Sequence, residues 1–387
     1  MTDETTRYDV PTRRETIKYG GAAVGGGLLA GCTDDSPPEP TEVDGETADS
    51  DEAATDDSGY SVTMEPVGEV RFEDVPETWF PFTGDYADMG VALGQGDGLV
   101  AIGIRERFAT HFYEELPGVS VDTDSLVQLW QDGTDKELFY ELDADVHVID
   151  PNFMINRIQW ERADIDEIEA HVAPFFGNTI FSGSYPWQDY ERYTLYEAFE
   201  KLAAVFRERE RYEAFERLHD EVRSEIRSRL PDERPEIAVV LPRSDPPETF
   251  IPFVIDSGTS FKQWRDLRVE DALAESNVHN FHESRGEIDY ETLLEVDPEV
   301  IVVRQQGEVT KDEFEDEFVS YMNDHDVARE LQAVEHGRVI RGGAPQQGPI
   351  VHLFQLEQAA QDLHPDVFTE PELFDRQRVA DIVTDGR

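Results

Sequence analysis

The sequence predicts an α/β protein of two lobes, each with a central, mostly parallel sheet, joined by one long α-helix. Two observations predict it. Short apolar runs suited to buried strands alternate with helical segments over residues 62–192 and again over 235–387, the pattern of parallel-sheet units. Between these stretches an apolar stripe at helical spacing runs over residues 193–230 and stops at Pro231. Length agrees: at roughly 100–200 residues per domain, a chain of this size carries two domains after its leader.

The elements follow in order. Residues 67–72 read as a short strand, and 85–93 as a helix closed by Gly94. Leu99, Val100, Ala101 and Ile102 form a buried strand that ends at Gly103. Short helices are expected over 125–130 and 136–142. Val146, His147, Val148 and Ile149 make a second buried strand, which runs into Asp150-Pro151-Asn152. A helix is expected over 165–172 and a third strand over 178–181. In the linking stripe, Leu195, Phe199, Leu202 and Phe206 recur at spacings of three and four, and Phe215, Leu218, Val222 and Ile226 resume it. Unbroken, that helix would be about 55 Å long at 1.5 Å per residue; the charged run at 207–211 is where it is open to a break. The alternation then restarts: a strand over 237–241, helices over 261–275 and 290–296, a strand over 300–303 ending at Arg304, a helix over 327–334, a strand over 338–341 and a last helix over 351–363.

The first 31 residues have the layout of an export signal. Arg13 and Arg14 precede a short, weakly apolar stretch at 20–30, too short for a permanent membrane span, and the arginine pair points to the twin-arginine route. Leu29-Ala30-Gly31-Cys32 resembles a lipobox, which makes Cys32 the expected lipidation site and the first mature residue. The run of glycines at 20–27 is not read as a phosphate loop, since no strand precedes it. Cys32 is the only cysteine, so neither an internal disulfide nor a thiolate zinc site is expected. Residues 32–61 hold Asp, Glu, Thr, Ser and Pro with almost nothing apolar, and are read as a disordered acidic tether.

The chain carries 86 acidic and 33 basic residues, a formal charge of −53, and only five of the basic residues are lysines. Charge of this size repels itself at ordinary ionic strength but is screened in concentrated salt, where the Debye length falls to about 3 Å. The composition is therefore read as halophilic. With 39% apolar and 10% aromatic content a core can form, which argues against an acidic disordered chain. No basic stripe exists to neutralise phosphates, so no nucleic-acid partner is expected.

Three stretches carry a resemblance to a known family. The segment 290–303, Tyr-Glu-Thr-Leu-Leu-Glu-Val-Asp-Pro-Glu-Val-Ile-Val-Val, the segment 331–340 around His336-Gly337-Arg338, and the ending Leu363-His364-Pro365-Asp366-Val367-Phe368 resemble the substrate-binding proteins of ATP-driven (ABC) importers for ferric siderophores, haem and cobalamin. Residues 137–149 echo the first of these segments, as related lobes would. The resemblance covers about 65–370; the opening of the first lobe, 72–86, departs from it. It implies a ligand cleft between the lobes, where loops at the ends of parallel strands face one another. It also implies an extracytoplasmic, lipid-anchored monomer that hands an iron(III)-siderophore complex to an ABC permease with its ATPase, with cobalamin or haem as the alternative cargo. No cofactor of the protein's own is implied.

Under that reading the cleft loops are 79–86, 103–107, 150–157 and 183–187 in the first lobe, and 242–260, 304–306 and 342–348 in the second. Within them Trp79, Tyr86, Arg105, Tyr185, Trp187, Arg243, Arg304 and Arg341 are the expected ligand-binding residues. Aromatic faces suit catecholate, hydroxamate or corrin surfaces, and arginines suit an anion. Glu137 and Glu291 occupy matching places in the two half-motifs; the resemblance implies one docking glutamate per lobe for the permease. Gln346 and Gln347 are open to hydrogen bonding with a ligand or to forming a turn. His279, His282 and Glu283 have a spacing that would suit a metal, but their flanks lack further ligands, so they are read as a polar loop. No nucleophile elbow, no His-Glu-x-x-His and no cysteine nucleophile is present. No catalytic residue is therefore assigned, leaving an exported hydrolase or a surface scaffold as remote alternatives.

Overall fold

A computed structural model describes residues 59–386 apart from 132, 285 and 306. The expected signal, Cys32 and the tether up to residue 58 lie outside the described residues.

In the first lobe, Tyr60–Met64 (β1) and Gly68–Phe72 (β2) form an antiparallel hairpin. The sheet proper comprises Trp79–Pro81 (β3), Ala101–Ile102 (β4), Val127–Gln128 (β5) and Val146–Val148 (β6). β3 pairs parallel with β6 and β4 with β5; single bridges from Trp79 to Leu99 and from His147 to Phe175 tie them into one parallel array. Every residue of β3, β4 and β6 is buried, as a sheet covered on both faces requires. The cover comes from Gly84–Ala92 (α1), Glu137–Leu142 (α2), Pro151–Arg157 (α3) and Arg162–His171 (α4). Asp150 caps α3 by accepting the Asn152 N–H, with Pro151 at the first helical position.

Two expectations in this lobe are corrected. Residues 125–130 contain strand β5, not a helix: the Val127 and Leu129 N–H groups donate to Val100 and Ile102 carbonyls, and a helix would leave that edge of β4 unpaired. Residues 178–181 are not a strand. The Asn178 side chain donates to the Glu65 and Glu191 carbonyls and its N–H to the Tyr86 hydroxyl, so the bridge to β6 falls earlier, at Phe175.

The linking helix expected over 193–230 breaks inside the charged run at 207–211, where it was open to a break. It is two helices, Leu195–Phe206 (α5) and Arg209–Arg229 (α6), with Arg207 left-handed at φ 56° between them. They fold back on each other. The Tyr196 hydroxyl donates to the Phe215 carbonyl at 3.2 Å, and the Tyr196 and His219 rings lie 5.0 Å apart. A continuous helix would hold those two residues about 35 Å apart. The cause is that both halves are amphipathic: Phe199 and Leu202 on one bury against Tyr212 and Phe215 on the other. The Arg207 guanidinium sits 4.1 Å from the Tyr60 ring centre, which helps to hold the break. α5 therefore belongs to the first lobe. α6, 21 residues and about 30 Å, makes the crossing.

The second lobe is built on Glu236–Pro242 (β7), Thr249–Phe253 (β8), Glu270–Asp271 (β9), Ile288–Asp289 (β10), Val300–Val303 (β11) and Val339–Arg341 (β12). The order is β10-β8-β7-β11-β12, with β9 also on β7; β7, β11, β12 and β9 run parallel, while β8 and β10 pair antiparallel. The helices are Lys262–Asp266 (α7), Phe281–Ser284 (α8), Tyr290–Val296 (α9), Lys311–Phe314 (α10), Ser320–Asp324 (α11), Gln332–Glu335 (α12), Pro349–Leu363 (α13) and Arg376–Asp385 (α14). The helix expected over 261–275 is shortened to α7. Arg268 turns left-handed at φ 59° and β9 follows, its Asp271 carboxylate accepting the Ile255 and Leu273 N–H groups.

One hydrophobic cluster runs through both lobes by way of α1, α5, α6, α13 and α14. α6, α7 and α13 also share a buried polar knot: Asp266 takes Lys262 Nζ at 2.6 Å and Arg227 Nη2 at 2.8 Å, with His352 Nε2 at 3.3 Å. The crossing helix is thus fixed to the second lobe by packing and by charge.

Candidate functional site

The carboxyl ends of the parallel strands point the two lobes' loops at each other, the usual place for a ligand in open α/β sheets. In the first lobe these are the turn after β3 into α1, the loop after β4 and the loop that follows Phe175. In the second they are Arg304 and Gln305 after β11 and residues 342–348 after β12, and the loop after the antiparallel β8 joins them.

These loops touch. Asp256 is the main clasp: one carboxylate oxygen accepts from the Gly183 N–H at 2.8 Å, Ser184 Oγ at 2.6 Å and Ser182 Oγ at 3.2 Å. The Thr259 and Ser260 N–H groups donate to the Ile180 and Phe181 carbonyls, and the Gly307 N–H to the Glu106 carbonyl. The Gly84 N–H donates to Gln346 Oε1 at 2.7 Å. The approach is close enough to require glycine: a Cβ on Gly258 would lie 2.4 Å from the Phe181 carbonyl oxygen. Deeper in, Asp88 on α1 accepts from Tyr113 Oη at 2.6 Å and from the Ile350 and Val351 N–H groups. A buried first-lobe carboxylate thereby caps α13. Burial pushes the Asp88 carboxyl up to about 7 and its neighbour Asp85 up to about 6.

Beside this contact lies Arg304, 4% exposed. Its guanidinium carbon is 4.8 Å from the Phe253 ring centre and 5.1 Å from that of Phe261. Its Nη2 is buried without a hydrogen-bond partner, and so is Nε2 of the adjacent Gln305. Burial pulls the Arg304 pKa down to about 10; the charge of Asp256 opposes that and Arg107 reinforces it. Across the contact, Arg105 Nη2 donates to the Leu126 carbonyl while its Nε is buried with no partner. Buried donors in native proteins are nearly always satisfied, and a buried cation is costly without a counter-charge. Among the unmet buried atoms of these loops, Arg304 Nη2, Gln305 Nε2 and Arg105 Nε are donors and suit an anion, while Asp85 Oδ2, Thr259 Oγ1 and Gln347 Oε1 are unmet as well.

The other expected ligand residues are placed as follows. Trp79 is corrected: it is fully buried in β3, its indole N–H on the Gln95 carbonyl at 2.9 Å and its ring 5.5 Å from Phe206. It is core because β3 is covered on both faces. Tyr86 is buried in α1 with its hydroxyl on the Asn178 carbonyl, lining a space of about 10 Å³ with Asp150 and Phe153. Tyr185 stacks on Trp187 at 5.0 Å and meets Phe181 edge-on, with the Arg157 guanidinium 5.7 Å from its ring centre; of the pair, Trp187 is the more exposed. Arg243 pairs with Glu287 at 3.1 Å and Arg341 with Asp362 at 3.3 Å, each inside its own lobe. Gln347 donates to the Thr259 carbonyl and Gln263 Oε1. Arg304 and Arg105 are therefore brought to the lobe contact, the Tyr185–Trp187 stack follows the loop clasped by Asp256, and Arg243 and Arg341 are engaged elsewhere.

Asp256 and Gln305 lie in the expected cleft loops but were not singled out within them, and Asp88 lies outside those loops. Asp256 and Asp88 carry no signal among so many carboxylates; Gln305 could have been found from its place at the end of an apolar strand.

A hollow of about 920 Å³ lies away from the contact, lined by Glu236, Glu270, Glu275, Glu287 and Glu295 among others; its carboxylates would repel an anion. Among the described residues no group of three or more His, Cys, Asp or Glu could hold a metal ion, and no helix is long and apolar enough to cross a membrane.

Comparison with known proteins agrees with this geometry. The sequence profile of the family described as periplasmic binding protein matches residues 83–345. No curated protein matches the sequence. Among solved structures, the iron uptake ABC transporter substrate-binding protein PiuA of Streptococcus pneumoniae is similar at 15% identity, TM-score 0.55, over 77% of this chain and 96% of that one. The petrobactin-binding protein YclQ of Bacillus subtilis is similar at 13% identity, TM-score 0.57, over 79% and 99%. The siderophore-binding protein BauB, bound to ferric iron with two molecules of acinetobactin, is similar at 17% identity, TM-score 0.55, over 79% and 98%. At these identities the likeness shows a shared fold.

Proposed function

This chain belongs to the periplasmic binding protein family, and from that premise we propose that it captures a ferric siderophore outside the membrane and delivers it to an ABC import permease. The observation that carries the ligand class is the pair of unmet buried donors on Arg304 and Gln305 at the lobe contact. A catecholate or carboxylate siderophore holds iron(III) in a complex of net negative charge. Such a complex supplies acceptors for the unmet donors, adds its negative charge to that of Asp256, and leaves the metal wrapped in its chelator, so no protein ligand to iron is needed. The Tyr185–Trp187 stack would offer an aromatic face to the chelator's rim. In this conformation the Asp256 clasp holds the lobes together, and a chelate enters by breaking the bonds from Ser182, Gly183 and Ser184. α6 is a single helix packed along both lobes, so the opening is a limited rocking about it.

Glu137 on α2 and Glu291 on α9 are both exposed, and in this reading each docks one lobe on the permease. Arg13-Arg14 and the Leu29-Ala30-Gly31-Cys32 motif support twin-arginine export and a lipid on Cys32, and the charge of −53 supports work in concentrated salt.

The test is a fluorescence-quenching titration of the full chain in concentrated salt with an anionic ferric siderophore, the metal-free siderophore, haem and cobalamin. Saturable quenching by the ferric siderophore alone is expected. Binding of haem or cobalamin instead would replace the cargo, and binding of none would remove the reading.

A further inference from the structure

Two stretches outside the cleft repeat each other in structure as well as sequence. Glu137-Leu138-Phe139-Tyr140-Glu141-Leu142-Asp143 covers α2, and Glu291-Thr292-Leu293-Leu294-Glu295-Val296-Asp297 covers α9 after its first residue. Each leads into a buried parallel strand, β6 or β11, through an aspartate in the left-handed region, Asp143 at φ 45° and Asp297 at φ 44°. Burial repeats position by position. Phe139 and Leu293 are fully buried, while Glu137, Glu141, Glu291 and Glu295 are exposed. The position after the buried one is apolar and yet exposed. Tyr140, at 42%, and Leu294, at 37%, are the most exposed large apolar side chains among the described residues. They occupy the same place in the two halves, three residues after the first glutamate, and so share a helix face with it.

Single apolar residues on a surface are ordinary. Two at equivalent positions, one per lobe, on a chain this rich in surface charge, are not scatter. We propose that Tyr140 and Leu294 are apolar anchors by which the two lobes seat on the permease, the partner presenting two equivalent faces, each an apolar socket rimmed by arginine or lysine. This rests on the reading that Glu137 and Glu291 dock on the permease, and adds to it what the carboxylates cannot supply.

The charge around the anchors fits such a rim. Glu137 and Glu141 flank one anchor and Glu291 and Glu295 the other. The one lysine beside α2, Lys136, is held by Asp164 at 3.0 Å and Glu167 at 2.7 Å and does not cancel them. The Tyr140 hydroxyl donates to Glu167 Oε1 at 3.1 Å, which fixes the ring and lowers the entropy lost when it is covered. In about 1 M salt the Debye length is near 3 Å, so attraction between glutamates and a basic rim is largely screened. Apolar burial survives those conditions. The anchors then carry the affinity and the glutamates the register.

The experiment measures binding of the full chain to the purified permease–ATPase complex it supplies, held in lipid nanodiscs, at about 0.1 M and about 1 M salt. The Tyr140→Ser, Leu294→Ser pair should weaken binding on the order of a hundredfold at both salts, about tenfold per anchor, with the unfolding midpoint of the chain unchanged. Tyr140→Phe, which keeps the ring and removes only the bond to Glu167, should lose far less affinity than Tyr140→Ser. The Glu137→Arg, Glu291→Arg pair should lose affinity chiefly at the lower salt. If the serine pair binds like the parent while the arginine pair does not, the anchors are refuted and the docking reading stands. If neither pair alters binding, or the parent does not bind, both are refuted.

Discussion

Replacing Arg304 with methionine should stabilise the empty protein and destroy its binding of an anion. The guanidinium is buried between two phenylalanine rings, with Nη2 unmet. Burial lowers its pKa from the ordinary guanidinium range to about 10, which corresponds to a penalty of about 3 kcal/mol on the charged form at 1.36 kcal/mol per unit. At neutral pH the group is charged in both folded and unfolded states, so the whole penalty is present. The two ring contacts return about 1–2 kcal/mol. Methionine is unbranched, similar in length and favourable against aromatic rings. Arg304→Met should therefore raise unfolding free energy by about 1–2 kcal/mol, the difference between those terms. The assay is urea unfolding of the chain without ligand, parent and variant in the same salt, followed by a ferric-siderophore titration of each. A variant that unfolds more easily by about 1 kcal/mol or more, or one that binds like the parent, would show that Arg304 is a structural cation with its needs already met.

Three further outcomes follow from the same contacts. Asp88 has its folded pKa raised to about 7 by burial, so its contribution is fully present below about 4 and is lost as pH rises towards 7. Burial lowers His352 to about 4, and its contribution runs the other way, lost as pH falls from about 6.5 towards 4. Asp88→Asn keeps an acceptor for Ile350 and Val351 and removes the charge, so stability measured by unfolding should lose the fall with rising pH that Asp88 imposes. Asp256→Ala leaves the Gly183 N–H and the Ser182 and Ser184 hydroxyls without their shared acceptor, and small-angle scattering should report a larger radius of gyration for the variant. Glu137→Arg with Glu291→Arg should abolish uptake into cells or vesicles while ligand affinity measured on the purified chain stays within about twofold, a difference of less than 1 kcal/mol.

The parts of the fold legible in the sequence are those with a local apolar signal. Residues 300–303 and 237–240 are buried on both faces and read as strands directly. In the linking segment the charged run at 207–211 marked the place of the break, but the reversal of the chain there was not legible, because the apolar period continues across it and the left-handed residue, Arg207, carries none of the usual glycine signal. β5 and β9 are only two residues long; tertiary pairing makes them, and no local pattern announces them. Arg304 was legible because it directly follows a fully apolar strand at the end where ligands bind. Trp79 misled because a three-residue strand buried on both faces shows no alternation by which an inward residue is told from a cleft residue. Asp256 and Asp88 were hidden by composition, since two working carboxylates cannot be picked out of 86 acidic residues.

The central claim is that the lobe contact holds an anionic metal chelate through Arg304. It is tested most directly by titrating one anionic ferric siderophore into the parent chain and into Arg304→Met, in concentrated salt, and reading tryptophan quenching. The account predicts saturable binding by the parent, weakened on the order of a hundredfold or more in the variant, as loss of a buried charge-assisted contact would give. Equal affinity in the two proteins, or saturable binding by neither, would contradict it.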